Sequence, residues 1–192
     1  MNPDMRVPAI DVIVEASTWD AGAQAAARRA LSEAAAAIGA DFSNHAVALL
    51  LTDDAAVRRL NAQWRGIDKP TNVLSFPPAP GGAGDVKSLG DIAVAYETTA
   101  SEARAEDKPF ADHLAHLCVH GFLHLMGYDH ESEAQAETME SLERVILARF
   151  GVPDPYGAFP GESLPPTRSG AGTGSPQGNA INKNNRSQEM KV

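Results

Sequence analysis

Five of the six histidines in this chain lie within the 18 residues from His113 to His130, HLAHLCVHGFLHLMGYDH. The segment reads as a helix from about Pro109 to Met126, stopped by Gly127. On a helix, residues four apart share a face and stand about 6 Å apart along the axis. His120 and His124 therefore point the same way, and two imidazoles so placed can grip one ion. A glycine at 127 can adopt the left-handed conformation that reverses the chain. His130 can then return to the open side of the pair.

The resulting pattern, H-x-x-x-H-x-x-G-x-x-H, has the ligand spacing of the metzincin proteases, H-E-x-x-H-x-x-G-x-x-H. Three protein ligands with a fourth position open is a catalytic arrangement of zinc, not a structural one. Two histidines at this spacing could equally be packed or exposed. The third at the right distance, with a helix-ending glycine between, carries the metal reading. One position departs from the protease pattern: the glutamate that serves as general base is replaced by Gly121. Mid-helix glycine costs roughly 1 kcal/mol relative to alanine, so Gly121 is expected to permit close packing of a neighbouring element. His116, one turn before His120, is either a group behind the ligands, a substrate contact or a packed, hydrogen-bonded histidine. His113 and His45 are expected to be structural or exposed. Asp129 is assigned to the turn in preference to orienting a ligand. Cys118, the single cysteine, is expected to be a small buried apolar residue; alone it excludes an intramolecular disulfide and suits a reducing compartment.

The rest of the chain supplies a scaffold. Ala9 to Glu15 alternates as a half-buried strand, Ala21 to Ile38 is an alanine-rich helix stopped at Gly39, and His45 to Thr52 is a second strand. Asp53 N-caps a helix through about Trp64. Thr71 to Phe76 and Asp91 to Tyr96 read as two further strands around a Pro/Gly-rich loop at Pro77 to Gly84. A short helix is expected from about Thr99 to Glu106, and a last one from about Glu133 to Phe150, where Ser132 and Gln135 have capping-box spacing. Four strands and five helices, with the long helices last, predict a single α+β domain. From Phe159 the composition turns polar and rich in glycine, proline and serine, so residues 159–192 are expected to be a disordered tail behind a domain at 1–158.

A net charge of −9 argues against generic nucleic-acid binding. The segment 58–69 differs, with Arg58, Arg59, Arg65 and Lys69 against only Asp68, a net +3. The acids concentrate elsewhere, notably Glu131, Glu133, Glu137, Glu140 and Glu143 in the last helix. Arg58 and Arg59 are read as a solvated face. Arg65, in the polar segment after the helix, has the fork geometry to clamp a phosphate. Trp64 is expected to pack against the core in preference to stacking on a base. The start of the chain carries Asp4 and Asp11 and has no leader pattern, and no run of 18 apolar residues predicts a membrane span. A cytoplasmic location is expected.

At this point HGFLHLMGYDH (120–130) resembles the signature of the YbeY family, the bacterial rRNA-maturation endoribonucleases. LNAQWRGIDKPTNVLSFP (60–77), LGDIAVAY (89–96) and VPDPY (152–156) are similar to further blocks of that family, and the resemblance covers roughly residues 9 to 158. It implies a small α+β domain with a mixed sheet and a zincin-like site holding one Zn2+ on His120, His124 and His130. It implies cleavage of single-stranded RNA in 16S rRNA 3′-end maturation and small-subunit quality control. The precursor 16S rRNA, the small ribosomal subunit and its assembly factors would then be the partners, with no membrane and no DNA. It also marks Arg65 as functional. The long tail departs from the family pattern. Two other readings stand beside this one: a zincin-like hydrolase acting on peptides, against which Gly121 counts, and a metal-containing ribosome-assembly factor without nuclease activity.

Overall fold

Alternating side chains on four short segments pair them into one sheet in the order β1-β2-β4-β3. In the computed structural model, which describes residues 6–79 and 85–157, β1 is Ala9–Val14, β2 His45–Thr52, β3 Val73–Phe76 and β4 Lys87–Ala95. β1 runs parallel to β2 in the register Ala9↔Ala46 to Val14↔Leu51. β2 runs parallel to β4, while β3 is antiparallel to β4, pairing Val73 with Val94 and Phe76 with Asp91. The sheet is therefore mixed, as expected for this α+β fold. The tail expected at 159–192 lies outside the described residues, as do residues 80–84 of the Pro/Gly-rich loop.

Five helices complete the domain: α1 (Ala21–Ile38), α2 (Asp54–Arg65), α3 (Tyr96–Ala105), α4 (Phe110–Leu125) and α5 (Glu133–Ala148). Their ends follow from local chemistry. Asp20 and Asp53 each accept the backbone N–H three residues on, from Ala23 and Ala56, at 2.7 Å. The capping box of α5 is present, with Ser132 Oγ accepting from Gln135 N and Gln135 Oε1 accepting from Ser132 N.

α4 is the core helix. Leu114, Leu117, Cys118, Val119, Phe122 and Leu123 are all buried, each larger apolar side chain contributing about 1.5–3 kcal/mol. α1 presents Ala23, Ala27, Ala30, Ala34 and Ala35 together with Leu31 as its buried stripe, and this small-residue face lies against α4. On the other side, Val73, Ile92 and Val94 face the same core. The alternate residues Leu74 and Ala95 point away and pack with Val57 of α2. α2 and α4 thus cover opposite faces of the β3–β4 edge.

Two boundaries differ from the sequence reading. β4 begins at Lys87, not Asp91, because a bulge breaks its alternation: Ala46 pairs with Ser88 and Val47 with Gly90, leaving Leu89 extra. Both Leu89 and Gly90 are buried, which hides the period of two. α3 begins at Tyr96, directly off β4 with no loop. Its first turn is capped from another helix: Asp54 Oδ1 accepts from Thr98 N at 3.0 Å and Thr98 Oγ1 at 2.8 Å, while Glu97 Oε2 accepts from Asp54 N at 2.9 Å.

Gly90 has φ +119°, and a Cβ there would run into the Phe76 carbonyl oxygen and lie 2.8 Å from Leu125 Cδ2. Gly90→Ala is expected to destabilise the domain by about 2–4 kcal/mol, combining backbone strain and overpacking. Urea unfolding followed by circular dichroism measures this, and a variant as stable as wild type would contradict the packing described.

Candidate metal centre

Three imidazoles meet where α4 ends. His120 and His124 stand one turn apart with Nε2 atoms 3.2 Å from each other and ring centroids 4.7 Å apart. Gly127, at φ +86°, ends the helix in a Schellman turn, with Gly127 N donating to His124 O at 2.9 Å and Tyr128 N to Leu123 O at 3.0 Å. The reversed chain brings the His130 ring to centroid distances of 5.6 Å from His120 and 5.1 Å from His124. Asp129 belongs to this turn, its Oδ1 accepting from His130 N at 2.8 Å.

The donor set fits a divalent ion. One ring nitrogen from each of His120, His124 and His130 lies within 4.8 Å of the others. Ligand nitrogens in a tetrahedral site with bonds of roughly 2.0–2.1 Å are about 3.3 Å apart, which the His120–His124 pair already matches. His130 Nε2 is buried and has no hydrogen-bond partner among the described residues. Burial, followed by repulsion from His120 and His130, lowers the pKa of His124 to about 3, so its ring is neutral and its lone pair free. Neutral imidazoles suit zinc, copper, iron or nickel.

Behind the ligands lies a residue that sequence reasoning counted only as one of the acids of the last helix. Glu143 of α5 is fully buried. Its Oε1 accepts from His120 Nδ1 at 2.7 Å, and its Oε2 accepts from His116 Nε2 at 3.0 Å and from the Tyr156 hydroxyl. Burial pushes this carboxyl up, but hydrogen bonds from His116 and His120 and the field of both rings outweigh it, so the group is held well below the usual carboxylate range. His116, His120 and Glu143 also form a compact group of metal-binding residue types; the hydrogen bonds among them already occupy the atoms that would ligate. A signal for Glu143 was available: it falls in helical step with the apolar residues Met139, Ile146 and Leu147, the buried stripe of α5. Tyr156 had no such signal beyond its place in VPDPY.

The other candidates sort as follows. His113 is buried and donates through Nε2 to Glu102 Oε2 at 3.0 Å, a structural role. His45 packs edge-on to Phe42. Cys118 is fully buried, and its thiol is pushed up to about 12 by that burial, which leaves it a core residue. Arg65 is the last residue of α2. It is half-buried, its Nη1 has no partner among the described residues, and burial holds its guanidinium below the ordinary value. Arg58 is tied to Asp68 through two hydrogen bonds of 2.6 and 2.7 Å, so part of the basic segment is neutralised. Trp64, expected to pack against the core, is 59% exposed and meets the edge of the Phe76 ring at 6.0 Å.

The fold and this cluster define a class: a small α+β protein with a zincin-like three-histidine site at the end of its core helix. The family model described as Endoribonuclease YbeY matches residues 11–151. A Rhodopseudomonas palustris (strain BisB18) protein named Endoribonuclease YbeY is 60% identical over 155 residues, covering 78% of this chain and 92% of that protein. Proteins of the same name from Nitrobacter hamburgensis and Bradyrhizobium sp. (strain BTAi1) are 55% and 53% identical, covering 78% and 80% of this chain and 83% and 95% of theirs. The chain belongs to the YbeY family.

Gly121 sits where the zincin base would be, and a Cβ on it would lie 3.1 Å from both Ile92 Cγ2 and Ser75 Oγ and 3.4 Å from Val73 Cγ2. Ser75 Oγ donates to Gly121 O at 3.0 Å. The position is thus a packing contact with no room for a glutamate. Gly121→Val is expected to lower stability by about 1–3 kcal/mol through overpacking, read as a drop in the thermal midpoint; an unchanged midpoint would contradict the close contact.

Proposed function

We propose that this chain is a metal-dependent endoribonuclease that cuts single-stranded RNA, with one zinc ion held by His120, His124 and His130. The observation that carries the metal half is the convergence of three imidazoles, one with a buried nitrogen lacking any partner among the described residues. The RNA half is supported by relatives that carry the name Endoribonuclease YbeY at 53–60% identity. The activity is assigned to residues 1–158, with 159–192 outside it. The proposed substrate is the 3′ end of the 16S rRNA precursor. The small ribosomal subunit and its assembly factors are the proposed partners, and the cytoplasm the proposed location. No described helix is long and apolar enough to cross a membrane.

When bound, the ion supplies Lewis-acid chemistry, polarising a phosphoryl oxygen and the attacking group. The protein's own contribution is to fix that charge against the scissile phosphate. Three ligand rings leave one side open to substrate. Arg65 is the proposed donor to the phosphoryl oxygens as charge develops there. The nucleophile is water or the RNA 2′-hydroxyl, and a 2′,3′-cyclic phosphate on the product would identify the latter. Peptide hydrolysis by the zincin route lacks its base, since position 121 has neither the carboxylate nor space for one.

The test joins metal content to cleavage. Wild type is expected to hold about one zinc per chain and cut a single-stranded rRNA 3′-end substrate, while His124→Ala loses both, and chelation followed by zinc return removes and restores cutting. Equal cutting by both proteins after repurification would assign the activity to a contaminant and favour the assembly-factor reading. Arg65→Ala is expected to cut about a hundredfold more slowly with its melting temperature unchanged; an undiminished rate would remove Arg65 from the mechanism.

A further inference from the structure

We propose that Glu143 is the positioning residue of the metal centre and that Tyr156, from the last described turn of the domain, holds it in place. The inference rests on the metal-site reading above and asks what prepares that site.

A histidine ligand offers an ion one of two ring nitrogens, and the partner of the other decides which. His120 Nδ1 lies 2.7 Å from Glu143 Oε1. A carboxylate only accepts, so the proton sits on Nδ1 and the lone pair on Nε2. That Nε2 is the atom 3.2 Å from His124 Nε2, on the side where His130 also arrives. Glu143 therefore sets both the tautomer and the rotation of the ring at the centre of the cluster.

Glu143 is itself saturated with donors. His116 Nε2 and the Tyr156 hydroxyl both give their hydrogens to Oε2. The carboxylate is completely buried, and among the described residues no lysine or arginine pairs with it. A buried anion needs charge-assisted hydrogen bonds and a nearby positive charge. The three donors supply the first. An ion held by His120, His124 and His130 would supply the second, in the carboxylate–histidine–metal arrangement that raises ligand basicity.

Tyr156 is delivered to this site by its own fastenings. Asp154 Oδ1 accepts from Tyr156 N at 2.9 Å, and the Arg144 guanidinium lies 4.9 Å over the tyrosine ring. Lys108 Nζ donates to Pro155 O at 2.8 Å. The ring is partly exposed while its hydroxyl reaches inward, so the geometry serves the hydroxyl and not burial of the ring.

The experiment measures zinc affinity of the full-length chain by chelator competition, with the visible spectrum of the cobalt(II)-loaded protein as a second readout. Glu143→Gln keeps the size and one acceptor but loses the charge. Its zinc affinity is expected to fall about tenfold to a hundredfold, with an altered cobalt spectrum. Tyr156→Phe removes a single hydroxyl, and its affinity is expected to fall by about threefold to tenfold, the worth of one hydrogen bond. Affinities within twofold of wild type in folded variants would overturn the proposal, whatever happened to their melting temperatures. Should Glu143→Gln not fold, Tyr156→Phe decides by the same criterion. Wild type that takes up no zinc or cobalt would instead refute the metal centre itself, and this inference with it.

Discussion

The close approach of α4 to the β3–β4 edge at Gly121 fixes where every other part of the site can be. With no side chain at that position, the helix backbone comes near enough for Ser75 to reach the Gly121 carbonyl. This sets the height and rotation of α4 on the sheet. His120, the next residue back and about 100° round the helix, is then turned from the sheet toward α5. One residue type at one position thus links core packing to the direction of the first ligand.

From that direction the electrostatics follow. The core accepts a carboxylate at Glu143 only because three donors, two from α4 and one from the turn at Tyr156, converge on it. Without them, a buried charge would cost several kcal/mol. The cluster is therefore not a set of ligands attached to a finished fold. It extends through the core from the open face beside His124 and His130 to the C-terminal turn at Asp154–Tyr156, and the same hydrogen bonds hold structure and site.

Most of the secondary structure was legible because it rests on local signals: alternation in β1, a short apolar run in β2, alanine content in α1, caps at Asp53 and Ser132. The three histidines were legible for a similar reason, since one helix turn and one glycine reversal bring them together. What escaped depended on distant parts of the chain. The start of β4 was concealed by a bulge that only its pairing with β2 reveals. The start of α3 relies on Asp54, supplied by another helix. Glu143 was only one acid among several in the last helix, because its histidine partners stand 23 and 27 residues away. Trp64 was expected to pack against the core in preference to stacking on a base, and it is exposed, because burial depends on what covers a position and no periodicity shows that.

The compactness of the ligand segment has a bearing on folding. All three ligands fall between residues 120 and 130, so gathering them closes only short loops, at small entropic cost even in the unfolded chain. Unfolded polypeptide can therefore compete for the same ion, and any such competition subtracts from the stability that the ion confers on the native state. Glu143 and Tyr156 come from outside that segment and join it only when α5 and the last turn have docked. They are what allows the ion to tell the folded chain from the unfolded one, and through them a local chelate becomes a report on completed folding.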